Sequence, residues 1–586
     1  MSAKLKSNRP AIESLAQLAA RVAPNSRISV GGHHFARLPI ALLREVAARG
    51  TRGLHYFAWA GGLPLELLLE AGAVESIDIC FSSLDIFGLA PRFREAAETG
   101  RVPIRDWPAL AMIQGLRASQ QNLPFMPVQL PEGSTMVERC PAVRFHRDTR
   151  TGDVIGLVDA QEIDTVLLHA ARADQHGNVE IIGAKALDLA IVGAARQVLV
   201  TVEEIVPAGH LQRNGRQTIL TRNLVTAIAE VPGGAYPTSC LPFYVTDYRQ
   251  IREVLEGRQG DLMAALKRPV GSPPAQLRAA AEIRPEQVVA APFRSPAAPG
   301  PASVDEIMAI RIAGMLDNES FASAGAVSPL ANVAYRLAKA THAPQAMIAT
   351  FSCGHVDIAP GVMTLSLIEV MDAGSAVAQC GGDDTYSTYY QAGLVTHEII
   401  GAAQVGPRGE TNNLELTKPS GGKLRLPGQG GMSDVANMHK NYVVYVTRHS
   451  PSTLVKAVET VSSARGISSR AERERAGYQP GDTWLVTNLA LFRYDEAAGQ
   501  LVVVETMPGV ARETIIAETG FKVVFDKTCR EVATPDARTL RVLREEVDPL
   551  GLRRLEFVGA KERGALLDDI LSRDAEGTRR IIEGVH

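Results

Sequence analysis

The chain has 586 residues, more than one ordinary hydrophobic core holds, so its length predicts at least two domains. Hydrophobic residues make up 46% and charged residues 21%, and the net charge of −3 comes from interspersed signs, so no basic face for nucleic acid is expected. No apolar run approaches the roughly 20 residues that cross a bilayer, so we expect a cytoplasmic protein with no membrane partner.

The N-terminal region predicts a helix followed by alternating strands and helices. An apolar stripe at helical spacing runs from Ile12 to Val22, as in an amphipathic helix and unlike a signal peptide. Residues 28–32 and 54–59 have the composition of strands, and a helical pattern over 38–49 separates them. Because the same alternation recurs in both halves, the sequence predicts an α/β fold with mainly parallel sheets covered by helices.

A proline-rich stretch over residues 266–303 divides the chain. Prolines among small residues favour a semi-rigid linker over core. We therefore expect one domain over 1–265 and a second over 304–586.

The two halves echo each other in the spacing of their glycines. Gly32 precedes a helix and a strand that Gly61 closes 29 residues later, and Gly325 and Gly354 repeat that spacing. Two diverged copies of one α/β unit account for this pattern, and chance agreement between two ordinary α/β domains is the alternative.

The cysteines predict reduced thiols and no metal site. All six are scattered, with no Cys-x-x-Cys pair and no clustering with histidine. We expect neither a bound metal nor a permanently bound cofactor.

A dense glycine loop is the first candidate site. Gly428, Gln429, Gly430 and Gly431 precede a helix-like run. Glycines let several backbone N–H groups point at one spot, so a glycine turn that opens a helix forms an anion site or an oxyanion hole. A plain tight turn is the alternative.

Three other segments place polar groups where ligands bind in α/β proteins. Gly31, Gly32 and His33 end a strand, and the histidine pair that begins there titrates near neutral pH or binds an anion. Glu204 also follows a strand, at the sheet edge where open α/β folds bind ligands. His176 lies in a motif of turn-forming residues. A surface turn or a solvated charge is the alternative for each.

Taken together, these segments resemble the glutaconate-type (family I) coenzyme A (CoA) transferases. The first half resembles their A subunit over the segments 31–32, 81–85, 88–94, 123–127, 174–178 and 202–206. The second half resembles their B subunit over the segments 401–404, 426–431, 518–521 and 544–549. The resemblance spans residues 10–250 and 304–550, and several dispersed motifs in one order are more specific than any single one.

This resemblance implies two related open α/β/α domains fused in tandem, with the active site between them. It implies a CoA thioester as substrate, a carboxylic acid as acceptor, a homo-oligomer, and substrate contacts at Gly354 and Gln404. In the family, a B-subunit glutamate attacks the thioester and becomes a glutamyl–CoA thioester, while the glycine loop stabilises the oxyanion.

The sequence departs from the family at that glutamate. The matching stretch is 351–354, and Ser352 occupies the place of the glutamate. Serine forms no anhydride and is a weak nucleophile without a base. A shift of one residue would place Cys353 there, which we interpret as a small buried hydrophobic residue.

A second departure concerns a related branch that lacks the glutamate and cleaves a carbon–carbon bond in cyclic β-diketone CoA thioesters. Its A-like chain uses a glutamate shortly before a Leu-Pro-Phe motif. Ala109 aligns with that glutamate, and Asp106 is the only carboxylate left close by.

Three hypotheses follow. The first is a CoA-transferase with a different nucleophile. The second is an acyl-CoA hydrolase or carbon–carbon hydrolase in which Glu204, His176, His355 or Asp106 activates water. The third is a non-catalytic acyl-CoA-binding protein. Dependence on a carboxylic acid acceptor separates the first two.

Overall fold

The computed structural model of the chain describes residues 9–213, 218–256, 273–295, 300–325, 328–466 and 469–584. Each half builds one large sheet, and helices cover the sheet faces. The predicted α/β class with mainly parallel sheets is confirmed.

The sheet of the first half has a main path of eight strands, all parallel to their neighbours. In sheet order these strands are Ala11–Ile12, Ala227–Glu230, Ala195–Val206, Ile163–Asp174, Arg27–Val30, Leu54–Ala60, Val74–Phe81 and Ile104–Asp106. The central strands are buried almost throughout, because a parallel sheet with helices on both faces requires apolar residues on both. Smaller strands pair antiparallel beside this path: Val179–Ile181 with Thr218–Leu220, and Phe125–Val128 and Val143–Arg147 with Val154–Asp159.

The sheet of the second half is parallel at its centre and antiparallel towards both sides, except that its last two strands pair in parallel. In sheet order its strands are Ala378–Gln379, His355–Val356, Met347–Thr350, Phe321–Ser323, His397–Gly401, Asn441–Val446, Thr483–Thr487, Ala490–Asp495, Gln500–Thr506 and Phe525–Glu531. Two small hairpins lie apart from it: Gln404–Val405 with Thr411–Asn412, and Glu415–Thr417 with Lys423–Arg425.

Helices connect and cover these strands. Those of the first half are Leu15–Ala20, Ile40–Ala48, Gly62–Glu70, Pro91–Thr99, Ala109–Gln120, Met136–Arg139, Asp188–Ala194 and Tyr248–Glu256. Those after it are Ala275–Ala281, Val304–Ala313, Pro329–Ala340, Ile368–Ser375, Gly382–Thr385, Met432–Met438, Arg470–Arg475, Arg512–Ala517, Ala537–Val542 and Ala560–Ile582. Among the described residues, no helix is both long and apolar enough to cross a membrane.

The two halves share one arrangement of four parallel strands, as the glycine spacing predicts. In the first half the order is Ala195–Val206, Ile163–Asp174, Arg27–Val30 and Leu54–Ala60. In the second half it is Asn441–Val446, His397–Gly401, Phe321–Ser323 and Met347–Thr350. The prediction of two related domains in tandem is therefore confirmed.

The N-terminal helix is shorter than its apolar stripe predicts. Ile12 belongs to a strand and pairs with Ile228, so the helix begins only at Leu15. Ser14 and Gln17 form a capping box, which satisfies backbone donors at that helix start.

The described part of the proline-rich segment, residues 273–295, packs into the core of the second half. Ala280, Ile283, Val288 and Phe293 are buried there. Gly577, on the helix Ala560–Ile582, lies against the Phe293 ring. The expectation of a spacer outside the core is corrected for these residues, because apolar side chains alternate with the prolines. The domain boundaries remain a prediction.

The halves meet through a buried aromatic cluster and a buried ion pair. Trp59 and Trp107 of the first half belong to one apolar cluster with Phe351 and Tyr386 of the second. At its edge, the Arg425 guanidinium donates two hydrogen bonds, of 2.9 and 2.5 Å, to the Asp106 carboxylate. Both of these charged side chains are less than a tenth exposed.

A second polar contact caps a helix across the interface. The Asp434 carboxylate accepts a 3.1 Å hydrogen bond from the backbone N–H of Leu110, in the first turn of Ala109–Gln120. Since Pro108 at the helix start provides no side-chain cap, the second half satisfies a donor that the first half leaves open.

We predict that Asp106→Leu lowers the free energy of unfolding by about 3–5 kcal/mol, because it leaves the buried Arg425 guanidinium without its partner. Denaturant titration of the full chain measures the loss. The double variant Asp106→Leu/Arg425→Met should recover most of it, since apolar replacement of a buried pair is often neutral.

Asp159→Leu provides the control, because Asp159 pairs with Arg144 where both side chains are about half exposed. Its cost should stay within about 1 kcal/mol. Equal losses for Asp106→Leu and Asp159→Leu would contradict a structural role for the buried pair.

Candidate active site between the two halves

A cavity of about 610 Å³, which we call the cleft, lies between the two halves. Its volume is in the usual range for small-molecule sites. The first half contributes His34, Trp59, Phe81, Ser83 and Asp85, and the second contributes Ser352, Tyr386, Tyr390, Glu398, 400–403, 426–432, 445–447, Glu556 and Arg563, among others.

The glycine loop forms one wall and reaches across to the first half. Gly428 forms an antiparallel bridge with Phe81, at the end of the strand Val74–Phe81. The N–H of Gly428 donates to the carbonyl of Asn413 at 3.0 Å, and that of Gly430 donates to Cys80 at 3.1 Å. These two donors are engaged, which leaves Gln429 and Gly431 as the N–H groups for the predicted oxyanion hole.

Side-chain contacts fix the shape of this loop. Gln429 donates from its side chain to the carbonyl of Trp107 at 2.7 Å and accepts from the N–H of Ser433 at 3.1 Å. Gly428 has φ +110°, and a Cβ there would lie 2.6 Å from the Cys80 carbonyl oxygen. Gly431 similarly has no room for a Cβ, because the Tyr386 hydroxyl is 2.0 Å from that position. The glycines therefore serve close packing against both halves.

Ser352 lines the cleft, as its place in the family motif predicts. It lies just after the strand Met347–Thr350, and its Oγ is buried. Across the described residues, no histidine or carboxylate makes a hydrogen bond to this hydroxyl. Burial raises the pKa of the neighbouring Cys353 thiol to about 12, which keeps it protonated. Neither side chain is activated as a nucleophile.

The histidine pair divides into a buried ring and a ring in the cleft. His34 Nδ1 lies 2.6 Å from Asp85 Oδ1, and His34 Nε2 is buried without a hydrogen-bond partner among the described residues. His33, the predicted member, lies outside the cleft, and burial holds its pKa well below the usual value. With Nδ1–H donated to Asp85, His34 presents Nε2 as a proton acceptor.

The backbone around this pair is strained. His34 and Asp85 have φ values of +52° and +51°, in the left-handed region that side chains other than glycine rarely adopt. Strain of this kind persists only where the surrounding structure imposes it, and it concentrates at functional sites.

Two glutamates that the sequence analysis missed also line the cleft. Glu398 lies on the strand His397–Gly401 and accepts a 3.0 Å hydrogen bond from the Tyr390 hydroxyl. Glu556 accepts from the N–H of Leu330 at 2.9 Å and the hydroxyl of Tyr445 at 2.6 Å. Burial raises the pKa of each carboxyl to about 7. The sequence feature that could have indicated Glu398 is an acidic residue within an otherwise apolar strand, just before the family motif at 401–404.

A second cavity of about 210 Å³, which we call the inner chamber, adjoins the cleft. The residues that line both cavities are His34, Asp85, Gly325, Ser352, Leu555, Glu556 and Arg563. His33 and His355 line the inner chamber but not the cleft. Burial lowers the pKa of His355 to about 4. His355 is therefore neutral at pH 7.

The structure places the other predicted bases away from the cleft. His176 is exposed in the turn after Asp174, whose carboxylate accepts from the His176 backbone N–H. Glu204 pairs with Arg172 at 2.5 Å, and its side chain is 43% exposed. Asp106 is held in the ion pair with Arg425.

The remaining predicted contact residues have packing roles. Gly31 and Gly32 pack against Asp188, which accepts the Gly32 N–H at 2.9 Å. Gly354 has φ +83° and lies against the Cys380 carbonyl, where a side chain does not fit. Gln404 is buried and accepts from the Asn412 side chain at 2.9 Å.

One buried group outside the cleft has the composition of a metal site. His169, Glu203 and Cys240 bring one ligand atom each within 4.8 Å of one another. The Glu203 carboxylate, however, already interacts with His169 at 2.9 Å, and it accepts from Tyr244 and Gly233. This hydrogen bonding accounts for the cluster, and no metal is assigned to it.

Two α/β units that close a glycine-lined cleft define the class of the protein. The sequence model of the family "Coenzyme A transferase" matches residues 12–218 and 306–518, well over half of the chain. The chain therefore belongs to the coenzyme A transferase family, an enzyme family of CoA thioester chemistry.

Individual relatives match one half each. The subunits A and B of glutaconate CoA-transferase from Acidaminococcus fermentans are both 26% identical, over 39% and 42% of this chain and 77% and 92% of their own lengths. The IpdA subunit of a cholesterol ring-cleaving hydrolase from Mycobacterium tuberculosis is 29% identical over 39% of this chain and 82% of its own. An uncharacterised Archaeoglobus fulgidus protein is 29% identical over 39% of this chain, and the match covers only 51% of that protein.

Among solved structures, the acyl-CoA transferase YdiF from Escherichia coli O157:H7 matches both halves at once. The TM-score is 0.66, with 14% identity, over 91% of this chain and 98% of that one. This similarity concerns the fold, and it confirms the tandem arrangement of the two domains.

We predict that Gly428→Ala reduces turnover by at least about tenfold, because the added methyl group displaces the loop from the Cys80 carbonyl and costs about 1–2 kcal/mol of backbone strain. Steady-state kinetics measures the loss. Gly421→Ala is the matched control, since Gly421 also has positive φ but has no atoms within 4 Å of its Cβ position. Equal rates for both variants would contradict the role of the loop.

Proposed function

We propose that this enzyme transfers CoA from an acyl-CoA thioester to a carboxylic acid in the cleft, with Glu398 in place of the family glutamate. The single observation that supports this is the Glu398 carboxylate in the same cavity as the glycine loop, while no described residue acts as a base on Ser352. Membership of the family supports the thioester substrate. The homo-oligomer and the cytoplasmic location stay predictions.

The chemistry of Glu398 suits this role. An ionised carboxylate oxygen attacks the thioester carbonyl, a C–O bond forms, the C–S bond breaks, and the CoA thiolate leaves. The thiolate then attacks the glutamyl carbonyl of the mixed anhydride and releases the first carboxylic acid, which leaves a glutamyl–CoA thioester. An incoming carboxylate reverses these steps. A raised pKa makes the carboxylate more basic and, in its ionised form, a better nucleophile.

Tyr390 helps to hold the attacking group. Its hydroxyl donates to Glu398 and interacts closely with Ser323 on the neighbouring strand Phe321–Ser323. This hydrogen bond favours the ionised carboxylate, whereas burial disfavours it, and the balance leaves the pKa of Glu398 at about 7.

A second candidate function is hydrolysis of the thioester. The observation in its favour is the His34–Asp85 pair, which lines the cleft: among the described residues His34 Nε2 has no hydrogen-bond partner, and it is the ring atom that takes a proton from an incoming water. Water then replaces the carboxylic acid as acceptor, and no covalent intermediate forms. Residue 352 is a serine and not the family glutamate, which is consistent with both CoA transfer through Glu398 and hydrolysis.

We predict that acyl-CoA incubated with the enzyme and acetate yields acetyl-CoA. We also expect the covalent intermediate at Glu398, as the glutamyl–CoA thioester in directly digested samples and as its reduction product in samples quenched with borohydride. Peptide mass spectrometry locates it, and Glu398→Gln should abolish it. Glu556→Gln is the matched control, because Glu556 is a second buried carboxyl of the same cleft with a similar pKa.

CoA release without any carboxylic acid, lost in His34→Gln but retained in Glu398→Gln, would overturn the transfer proposal in favour of hydrolysis. His55→Gln controls for loss of a histidine, because His55 bonds Ser76 away from the cleft.

We predict that the transfer rate rises with pH through about 7 and levels off above about 8. The sign follows from the nucleophile: only ionised Glu398 attacks, so acidification below its pKa of about 7 protonates it and reduces the rate. Tyr390→Phe removes a donor that stabilises the ionised form, so the midpoint should shift to higher pH. A rate that is flat between pH 6 and 8, or a downward shift in Tyr390→Phe, would contradict this role.

A further inference from the structure

The inner chamber has the position and the size of an acyl pocket. It joins the cleft at Ser352 and His34, and it extends away from the glycine loop towards Thr364 and Leu365. Its volume is about 210 Å³, and a cavity of about 150 Å³ accommodates a benzene ring. The chamber therefore holds roughly six to eight non-hydrogen atoms, which corresponds to a short acyl group.

Most of the chamber wall is apolar, and a few buried polar atoms interrupt it. The apolar part includes Ile86, Tyr248, Met363, Leu365, Ile368 and Leu552. Thr364 Oγ1, Thr350 Oγ1 and His33 Nε2 are buried in the same wall, and no hydrogen-bond partner exists for them in the described chain. Thr364 and His33 are 1% and 4% exposed. Buried polar atoms are usually paired, so these atoms favour a ligand that brings oxygen to them.

The charges around the chamber do not favour an anionic group. The Arg336 guanidinium is paired with Asp372 at 2.6 Å and donates to the Ala359 carbonyl, so that only its Nε has no hydrogen-bond partner in the described chain. The Arg563 guanidinium donates to backbone carbonyls of Leu555 and Ile86, next to Glu556. Burial lowers the pKa of both His33 and His355, so neither ring carries charge at pH 7.

Carboxyl groups are at least as numerous as cations in this wall. Asp85 pairs with His34, and Glu369 accepts hydrogen bonds from Ser239 and from the N–H of Ala184. A further carboxylate in the acyl group would enter a low-dielectric space in which both arginines of the described wall already have partners, which is costly.

We propose that the inner chamber binds the acyl group of the substrate and selects a short, uncharged acyl chain that carries a hydroxyl or keto oxygen, with the Thr364 hydroxyl as its partner. This inference rests on the proposed function, because it takes the CoA thioester to occupy the cleft. The acyl oxygen pairs with polar atoms that are otherwise buried alone, and the alkyl part of the chain packs against the apolar wall.

Three thioethers of CoA test this proposal, because they bind without reacting. Isothermal titration calorimetry of the full-length enzyme compares S-(3-hydroxybutyl)-CoA, S-butyl-CoA and S-(3-carboxypropyl)-CoA. We expect the hydroxylated thioether to bind about 3- to 10-fold more tightly than the butyl one, which corresponds to one neutral hydrogen bond. The carboxylated thioether should bind most weakly.

Thr364→Val should remove the preference for the hydroxylated thioether while it keeps the shape of the chamber. Thr246→Val is the matched control: Thr246 lines the same chamber, but its hydroxyl already donates to the Phe35 carbonyl at 2.8 Å. The ratio of the two dissociation constants should therefore persist in that variant.

Equal binding of the hydroxylated and butyl thioethers to the wild-type enzyme would overturn the inference, and so would tightest binding of the carboxylated one. A preference that survives in Thr364→Val would overturn the role of Thr364. If none of the three thioethers binds, and free CoA does not bind either, the proposed function fails together with the inference. If the thioethers bind as expected but no CoA transfer occurs, the proposed function fails while the acyl-pocket inference stands.

Discussion

The buried contact of Arg425 with Asp106 is the constraint on which the site depends. Arg425 ends the hairpin that leads directly into the glycine loop, and Asp106 ends the last strand of the first sheet. Their two hydrogen bonds fix the loop against the first half, since Gly428 follows Arg425 by only three residues. Gly428 then pairs with Phe81 and closes the wall of the cleft. A charge pair in a dry interface thus sets the register of the loop relative to both halves.

Burial away from water changes the pKa values of the carboxyl groups in the cleft. Glu398 and Glu556 lie among tyrosines, and burial raises the pKa of each to about 7. His34 differs, because Asp85 orients its ring and leaves Nε2 available. Environment, and not residue type alone, separates a candidate nucleophile from a candidate base.

The sequence predicted the fold better than the site. Parallel strands buried on both faces have a continuous apolar pattern, and glycines that must turn at fixed positions keep their spacing, so the α/β class and the tandem repeat were visible. The glycine loop was visible from its dense glycines, and the position of Ser352 followed from the resemblance to the family motif. Glu398 was not visible, because its proposed role depends on a contact with Tyr390 and on burial in the folded chain, which the local sequence does not encode.

The candidates that lie away from the cleft show the same limit. Glu204 and His176 have suitable residue types near strand ends, but Glu204 pairs with Arg172 and His176 points away from the cleft into solvent. Ile12 fits a helical stripe, yet its pairing with Ile228 places it in a strand. Local spacing does not encode which of two equally suitable partners lies nearby after folding.

The position of Arg563 has a consequence for biosynthesis. This cleft residue lies on the helix Ala560–Ile582, and Trp107 at the interface precedes Phe351 and Tyr386, which share its apolar cluster, by 244 and 279 residues. During translation at about 5–20 residues per second, the aromatic face of the first half stays uncovered for roughly 10 to 60 s before Phe351 and Tyr386 have been made. The surface that covers this face is made later on the same chain. The cleft is completed only after the helix Ala560–Ile582, which carries Arg563, has been synthesised.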